Sequence, residues 1–432
     1  MKFEDQEVLT LVQSFEAQHS KGEQGYFDVE EYEMIIDYYR DTASYKWMRR
    51  AVEQGRAVHP RAIELQIKAV HLAIALKKYD EAADLLERIA AMSPTHPELL
   101  IARATLLLHQ GHTSWGLELM ARALENAEEP LDVLQQIAEV HLDMGNYSRA
   151  IEALLRLLRE DPEGYEDAAL YQLCSCLEYT SEYERGLKLF LEFADKEPYN
   201  PLTWYHAGTF CMRLERDEEA LKYLEWATVA EEEFYAAFIE MGRIHEREER
   251  FEQAIDCYLK GTSSVVESNY LHYRIALLYQ ELEEPLKALE HLNRAIEIEP
   301  DMEDVYLERA NVHMDMENYL LAVADFTLVW IEEAYDGEDV LDFADCLIHL
   351  DRIDEALSVL RDGCKRFPKN SAILVVAVGY LFALEEFDEA KELLLKYHSK
   401  KRDAAALLEE FFPNLLQLEG VADILAALRQ IP

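Results

Sequence analysis

The residue types that most often carry chemistry are present in this chain, but not at the spacings chemistry needs. His141, His245 and His313 belong to no His-Glu-x-x-His arrangement, which would set two imidazoles one helical turn apart beside a general base. Cys174 and Cys176 lie two residues apart, and on a helix such neighbours face different ways. Cys211 and Cys346 have no partner at close spacing. The 86 Asp and Glu residues are so numerous that no pair stands out as an acid/base couple. A Gly-rich phosphate loop with its Lys is absent, and so is the pentapeptide of a nucleophile elbow. No catalytic residue, metal site or cofactor is assigned, and an enzyme is the reading left with no residues to carry it.

The elements that must position any site are set by one spacing. Ala220, Ala254, Ala288, Ala322, Ala356 and Ala390 follow one another at 34 residues. Upstream the series runs through Gly186, Ala150, Gly116, Ala82 and Met48, with one step of 36 that puts a two-residue insertion near Glu163-Gly164. This makes eleven units, from about residue 29 to about 404. With Ala254 as position 20 of the unit starting at Tyr235, position 8 is also small in most units, as at Ala104, Gly208, Gly242 and Ala310. Small residues at 8 and 20 let the two helices of a pair approach closely. Position 4 (Trp204, Phe238, Tyr306) and position 24 (Phe190, Tyr258, Phe326) carry bulk, and Pro recurs at position 32, as at Pro198 and Pro300, closing the second helix. His141, His245 and His313 all fall at position 11, where a large packing residue is expected, so they read as core histidines. Two short antiparallel helices per unit, each unit packed on the next, form a solenoid. Pro285 at the opening of a second helix fits that register.

This register resembles the tetratricopeptide repeat family over roughly residues 29 to 404. The resemblance implies an all-α fold, a right-handed superhelical solenoid of antiparallel helix pairs in 34-residue repeats, whose first helices line a concave groove. It implies a protein-interaction scaffold more than any chemistry. In that family positions 2, 5, 9, 12 and 13 largely line the groove. Here they supply Tyr171, Tyr179, Tyr205, Thr209, Met212, Arg213, Arg243, Arg247, Tyr270 and Tyr273 in the middle of the chain. Tyr offers apolar area with a hydroxyl, and Arg pairs with carboxylates in a bidentate fork, so the groove suits a peptide or protein segment with acidic side chains. The same residues could instead decorate a solvated wall or pair with neighbouring helices. Positions 5 and 9 hold Tyr171 and Ser175, Tyr205 and Thr209, Ile239 and Arg243, and Tyr273 and Leu277, without the Lys and Asn of carboxylate-clamping relatives.

The formal net charge of -44 repels nucleic acid and anionic membrane surfaces. It serves either as a solvated exterior or as a field that draws in a basic partner. The N-terminus, with acid where a basic region should be, reads as no secretory signal, and no apolar run is long enough to span a membrane. With six Cys lacking paired spacing, the expected compartment is the cytoplasm. Residues 1–28 read as an N-terminal extension or capping helix carrying Val8, Leu9, Leu11, Val12 and Phe15. Residues 29–404 are the eleven-unit array, and 405–432 are C-terminal capping helices with Phe411 and Phe412. These apolar ends leave a second reading open, a structural subunit that forms a homo-oligomer through its terminal caps.

Overall fold

In the computed structural model, residues 3–21, 26–91, 93–160, 167–262, 268–332, 335–397 and Val421 are described. The expected insertion near Glu163-Gly164 and most of the expected C-terminal caps, including Phe411 and Phe412, lie outside the described residues. Every element among those described is an α-helix, 23 in all, and none is a strand. The first, Phe3–Lys21, precedes eleven helix pairs that start at Val29–Asp41 with Tyr45–Val58 and finish at Ser371–Ala383 with Phe387–Tyr397. The fold class is all-α, a solenoid of antiparallel helix pairs.

The chain divides into two compact units, Met1–Glu215 and Arg216–Pro432. In the first, the core joins Val12 and Phe15 of the N-terminal helix to Phe27, Tyr39 and Met48 and runs on to Leu99 and Leu106. In the second, one core extends from Ala310 to Leu394 and takes in Val421. The close-approach positions are closed to solvent in both units. Ala82, Ala150, Ala220, Ala254, Ala288 and Ala322 at position 20 show no exposed surface, and neither do Ala104, Ala138, Ala276 and Ala310 at position 8. A methyl group added to Gly242 would stand 2.5 Å from the ring of Tyr258, and one added to Gly186 would stand 2.5 Å from the ring of Phe210. Pro285 opens Pro285–Ile298 at its first turn, where a missing amide is no loss.

The turn inside each pair repeats as strictly as the helices. Position 15 takes a left-handed backbone in all eleven repeats, at Ala43, Lys77, Gly111, Gly145, Ser181, Glu215, Glu249, Glu283, Glu317, Asp351 and Glu385. The amide after it bonds back to the carbonyl five residues earlier, as Lys78 does to Ala73 and Glu284 to Tyr279, each at 2.8 Å. This is the Schellman closure, which satisfies carbonyls the ending helix leaves open. Only two of the eleven positions are Gly, although an L side chain in this conformation costs about 1–2 kcal/mol. Glu249→Gly and Glu283→Gly are therefore expected to stabilise the second unit by about 0.5–1 kcal/mol each, the gain being trimmed by the looser unfolded chain. Gly111→Ala should lose a similar amount through its backbone alone, since an added methyl group meets nothing within 4 Å. Urea midpoints of the three variants check this.

Candidate functional site

In both units, first helices of successive repeats touch one another at several places. Val29–Asp41 meets Ile63–Ala75, which meets Pro97–His109, and Glu303–Asp315 meets Gly337–His349. Side chains at the inner register positions therefore form a wall. Of the ten residues singled out in the sequence, eight divide evenly, Tyr171, Tyr205, Thr209 and Arg213 in the first unit and Arg243, Arg247, Tyr270 and Tyr273 in the second, while Tyr179 and Met212 also lie in the first.

The first four are brought together on adjacent helices, Asp167–Tyr179 and Pro201–Arg213. Their hub is His206, which the sequence reading passed over. Its ring is 3% exposed, meets Tyr171 edge-on at 5.0 Å, and lies 5.2 Å from the ring of Tyr205. Burial keeps this imidazole neutral, its pKa lowered to about 3. The Thr209 hydroxyl donates to the His206 carbonyl at 2.9 Å. Arg213 Nε donates to Glu178 Oε1 at 2.8 Å, tying the two helices together. Tyr171 is held by His206 yet keeps 46% of its surface open.

In the second unit Arg243 and Arg247 stand one turn apart on Tyr235–Arg247. Arg243 Nη1 donates to Glu240 Oε1 at 2.9 Å, and Arg247 pairs with Asp217. The Tyr270 ring, 44% exposed, lies close enough to Arg243 to influence its charge. Tyr273 is half-buried, and its neighbours across the helix gap include Glu308 and Asp304, so it faces acid rather than the arginines. Each of the three arginines thus has a carboxylate partner within its own unit.

A more enclosed feature lies on the wall of the first unit, where the sequence reading placed no site. A cavity of about 340 Å³ opens between the first helices of repeats one to four, lined by residues from Glu33 and Asp37 through Lys68 and His71 to Glu139 and Asp143. It was hidden because carboxylates are everywhere in this chain. Arg40, a basic residue at inner position 12 among acids, was the available signal, with Lys68 one residue beyond an inner position.

Of the three histidines read as core, only His141 is buried, while His245 and His313 are partly exposed. His141 is 3% exposed, and burial lowers the pKa of His141, His245 and His313 alike. All six cysteines are buried and outside any disulfide. Burial pushes the thiols of Cys174 and Cys346 up to about 12, far from the thiolate a nucleophile requires.

Comparison with known proteins adds the family. Models of the tetratricopeptide repeat match three separate stretches, residues 73–114, 136–201 and 270–302. The chain is a tetratricopeptide repeat protein. Among curated relatives of this repeat array, the mouse interferon-induced protein with tetratricopeptide repeats 3 is 27% identical over 215 residues, 44% of this chain and 52% of the relative. The Bacillus subtilis TPR repeat-containing protein YpiA is 21% identical over 47% of this chain and 48% of its own length. Anaphase-promoting complex subunit 3 of Schizosaccharomyces pombe is 20% identical over 59% of this chain and 38% of its own. The array thus spans about half the length, or less, of these relatives. Among solved structures, YrrB, described as a TPR protein with an unusual peptide-binding site, aligns with 17% identity and a TM-score of 0.39 over 43% of this chain and 95% of its own.

The tetratricopeptide wall of the second unit also carries a pH signature. Burial and the carboxylates of Asp339, Asp345, Glu338 and Asp336 push the Asp342 carboxyl up to about 6, from an ordinary 3.8. The folded chain then binds this proton more tightly than the unfolded chain does. The contribution of Asp342 to stability is therefore lost as pH rises through about 6 and regained as pH falls towards 3.8. Asp342→Asn should accordingly be more stable than the parent at pH 7.5, with the difference shrinking towards pH 4.5. Urea midpoints across that range test it, and a difference independent of pH would contradict it.

Proposed function

We propose that the chain is a non-catalytic scaffold that holds a peptide or protein segment against the wall formed by its first helices. The observation that carries this is the half-open aromatic surface fixed there. Tyr171 and Tyr205 are packed about a buried His206, so they offer contact area with little rotamer freedom left to lose on binding. Acidic side chains in a held segment would meet Arg213 on the first unit, or Arg243 and Arg247 on the second. A guanidinium has five donors, so each arginine keeps capacity beyond its own carboxylate, and the segment need only share it. The same reading places the protein in the cytoplasm, supported by six cysteines that are buried and form no disulfide. Among the described residues no helix is long and apolar enough to cross a membrane.

The test is affinity purification from the native cell with the parent, an Arg243→Ala, Arg247→Ala, Tyr273→Ala variant shown to be folded, and a truncation after Asp403. A partner lost with the triple variant and kept with the truncation supports the wall. The competing reading, a homo-oligomer formed through the terminal caps, predicts the reverse together with a change in solution mass on truncation.

A further inference from the structure

We propose that the outward face of the ninth repeat's second helix, Tyr319–Ile331, docks an amphipathic helix of a partner protein whose apolar stripe is flanked by lysine or arginine. This site is separate from the first-helix wall and does not depend on it.

One side of this helix belongs to the array. Ala322, Val323 and Phe326 are buried in the core of the second unit. Leu321, Ala324, Leu328 and Ile331 follow one another at steps of three, four and three, which sets them in one line on the opposite side. Leu321, Leu328 and Ile331 keep 51, 47 and 67% of their surface open, and Ala324 is exposed. A helix that is apolar all round is ordinarily covered all round. At 13 residues this one is too short to cross a membrane.

The other repeats show that the solenoid itself does not need the stripe. Its four residues stand at positions 19, 22, 26 and 29 of the repeat. In repeat eight those positions hold Lys287, Glu290, Arg294 and Glu297, and in repeat ten Glu355, Ser358, Asp362 and Lys365. No other repeat is apolar at all four. Repeats eight and ten close their helix pairs with polar residues there, so the apolar set in repeat nine serves something outside the array.

The surroundings of the stripe select its occupant. Where Tyr319–Ile331 ends beside the start of Glu303–Asp315, a groove of about 260 Å³ opens, with Leu328, Ile331 and Tyr306 among its lining. Asp301, Glu303 and Glu332 line it too, and no Lys or Arg does. The guanidinium over the Tyr306 ring, that of Arg309, is held by Asp325 and Asn293. Between Arg309 and Arg352 the sequence has no Lys or Arg at all. An apolar floor edged only by carboxylates is complementary to an apolar stripe edged by cations. A second copy of this chain would instead bring acid against acid. In a two-fold pairing of the helix with itself, Glu332 at one end would face Glu317 at the other. An extended segment fits poorly, because Leu, Ala and Ile side chains offer its backbone amides no acceptor, whereas a helix satisfies its own. From Leu321 to Ile331 the stripe runs about 15 Å, or about three turns of a partner helix.

The experiment is fluorescence anisotropy with the full chain and a labelled helical peptide, two copies of Leu-Lys-Lys-Leu-Leu-Lys-Leu in tandem. One counterpart is an isomer of the same composition whose leucines are spread around the helix, and another carries glutamate in place of every lysine. The net charge of -44 draws both lysine peptides alike, so the difference between them reads the stripe. The striped lysine peptide is expected to bind about tenfold more tightly than its isomer, the scale of one well-buried apolar contact. Leu321→Gln with Leu328→Gln and Ile331→Gln should remove that difference, and because all three side chains are exposed the variant keeps its fold. Asp301→Asn with Glu332→Gln should weaken the striped lysine peptide several-fold, and Leu286→Gln on the neighbouring second helix should leave it unchanged. Equal binding of the striped peptide and its isomer, absence of binding by both, or a difference that survives the triple variant would overturn the proposal. A glutamate peptide that matches the lysine peptide would overturn the assignment to a basic helix. Three further outcomes would each give the face to another occupant and so overturn the proposal. A dimer of the parent, seen by sedimentation and lost in the triple variant, would assign it to a second copy. Binding seen only with a chain truncated after Asp403 would assign it to the chain's own C-terminal segment. Binding to phosphatidylcholine vesicles, lost in the triple variant, would assign it to a lipid surface.

Discussion

Arg309→Met is expected to cost the second unit about 3–5 kcal/mol, because it strands a buried anion. Asp325 is 4% exposed on the second helix of its repeat, and Arg309 reaches it from the first helix of the same repeat. The contact is a two-pronged fork, Nε to Oδ2 at 2.9 Å and Nη2 to Oδ1 at 2.7 Å. A third donor, Nη1, bonds Asn293 Oδ1 in the preceding repeat at 2.7 Å, so one side chain ties two repeats together. With the cation gone, Asp325 must stay charged without compensation, take up a proton, or open the helix pair. Arg309→Met combined with Asp325→Leu should recover most of the loss, since replacing a whole buried pair with apolar groups is often neutral. Repeat arrays need not unfold in one step, so hydrogen exchange resolved by repeat is the suitable measurement. It should show lost protection centred on Glu303–Asp315 and Tyr319–Ile331 in the single variant only. Equal losses in the single and double variants would contradict the account.

The second large effect is expected at the close-approach positions. Ala254→Leu and Ala322→Leu insert three carbons where no solvent-exposed surface remains, and overpacking of this kind costs about 1–3 kcal/mol. Gly242→Ala belongs with them. Its new methyl group would stand 2.5 Å from the Tyr258 ring, and that ring is pinned because its hydroxyl donates to Glu246 Oε2 at 2.7 Å. Lowered urea midpoints in all three variants, beside an unchanged midpoint for a matched swap at exposed Leu286, are the expected result. A parent-like midpoint for both leucine variants would mean that the register is misassigned.

These predictions separate what was legible in the sequence from what was not. The helix pairs were legible because the constraint is side-chain size, and size recurs visibly at positions 8, 20 and 24. The left-handed turn was not, because Ala, Lys, Ser, Glu and Asp stand at position 15 as well as Gly, and only Gly111 and Gly145 announce the conformation. The Arg309–Asp325 fork left one trace, a lone acid in the otherwise apolar helix Tyr319–Ile331. The division at Glu215 left none, since the register runs on without a change in composition. For the wall, the residue types were legible but their neighbours were not. Nothing in sequence order joins Arg213 to Glu178, 35 residues away, or brings Tyr171 of the preceding repeat against His206.

The central claim, that partners are held on the first-helix wall, is tested most directly by site-specific photo-cross-linking in the native cell. A benzophenone amino acid is placed singly at Tyr171 and Tyr273 on first helices, and at Val229 and Leu286, which are exposed on second helices. The account predicts the same partner protein cross-linked from Tyr171 and Tyr273, and none from Val229 or Leu286. A partner captured from Val229 or Leu286 and never from the wall positions would contradict it.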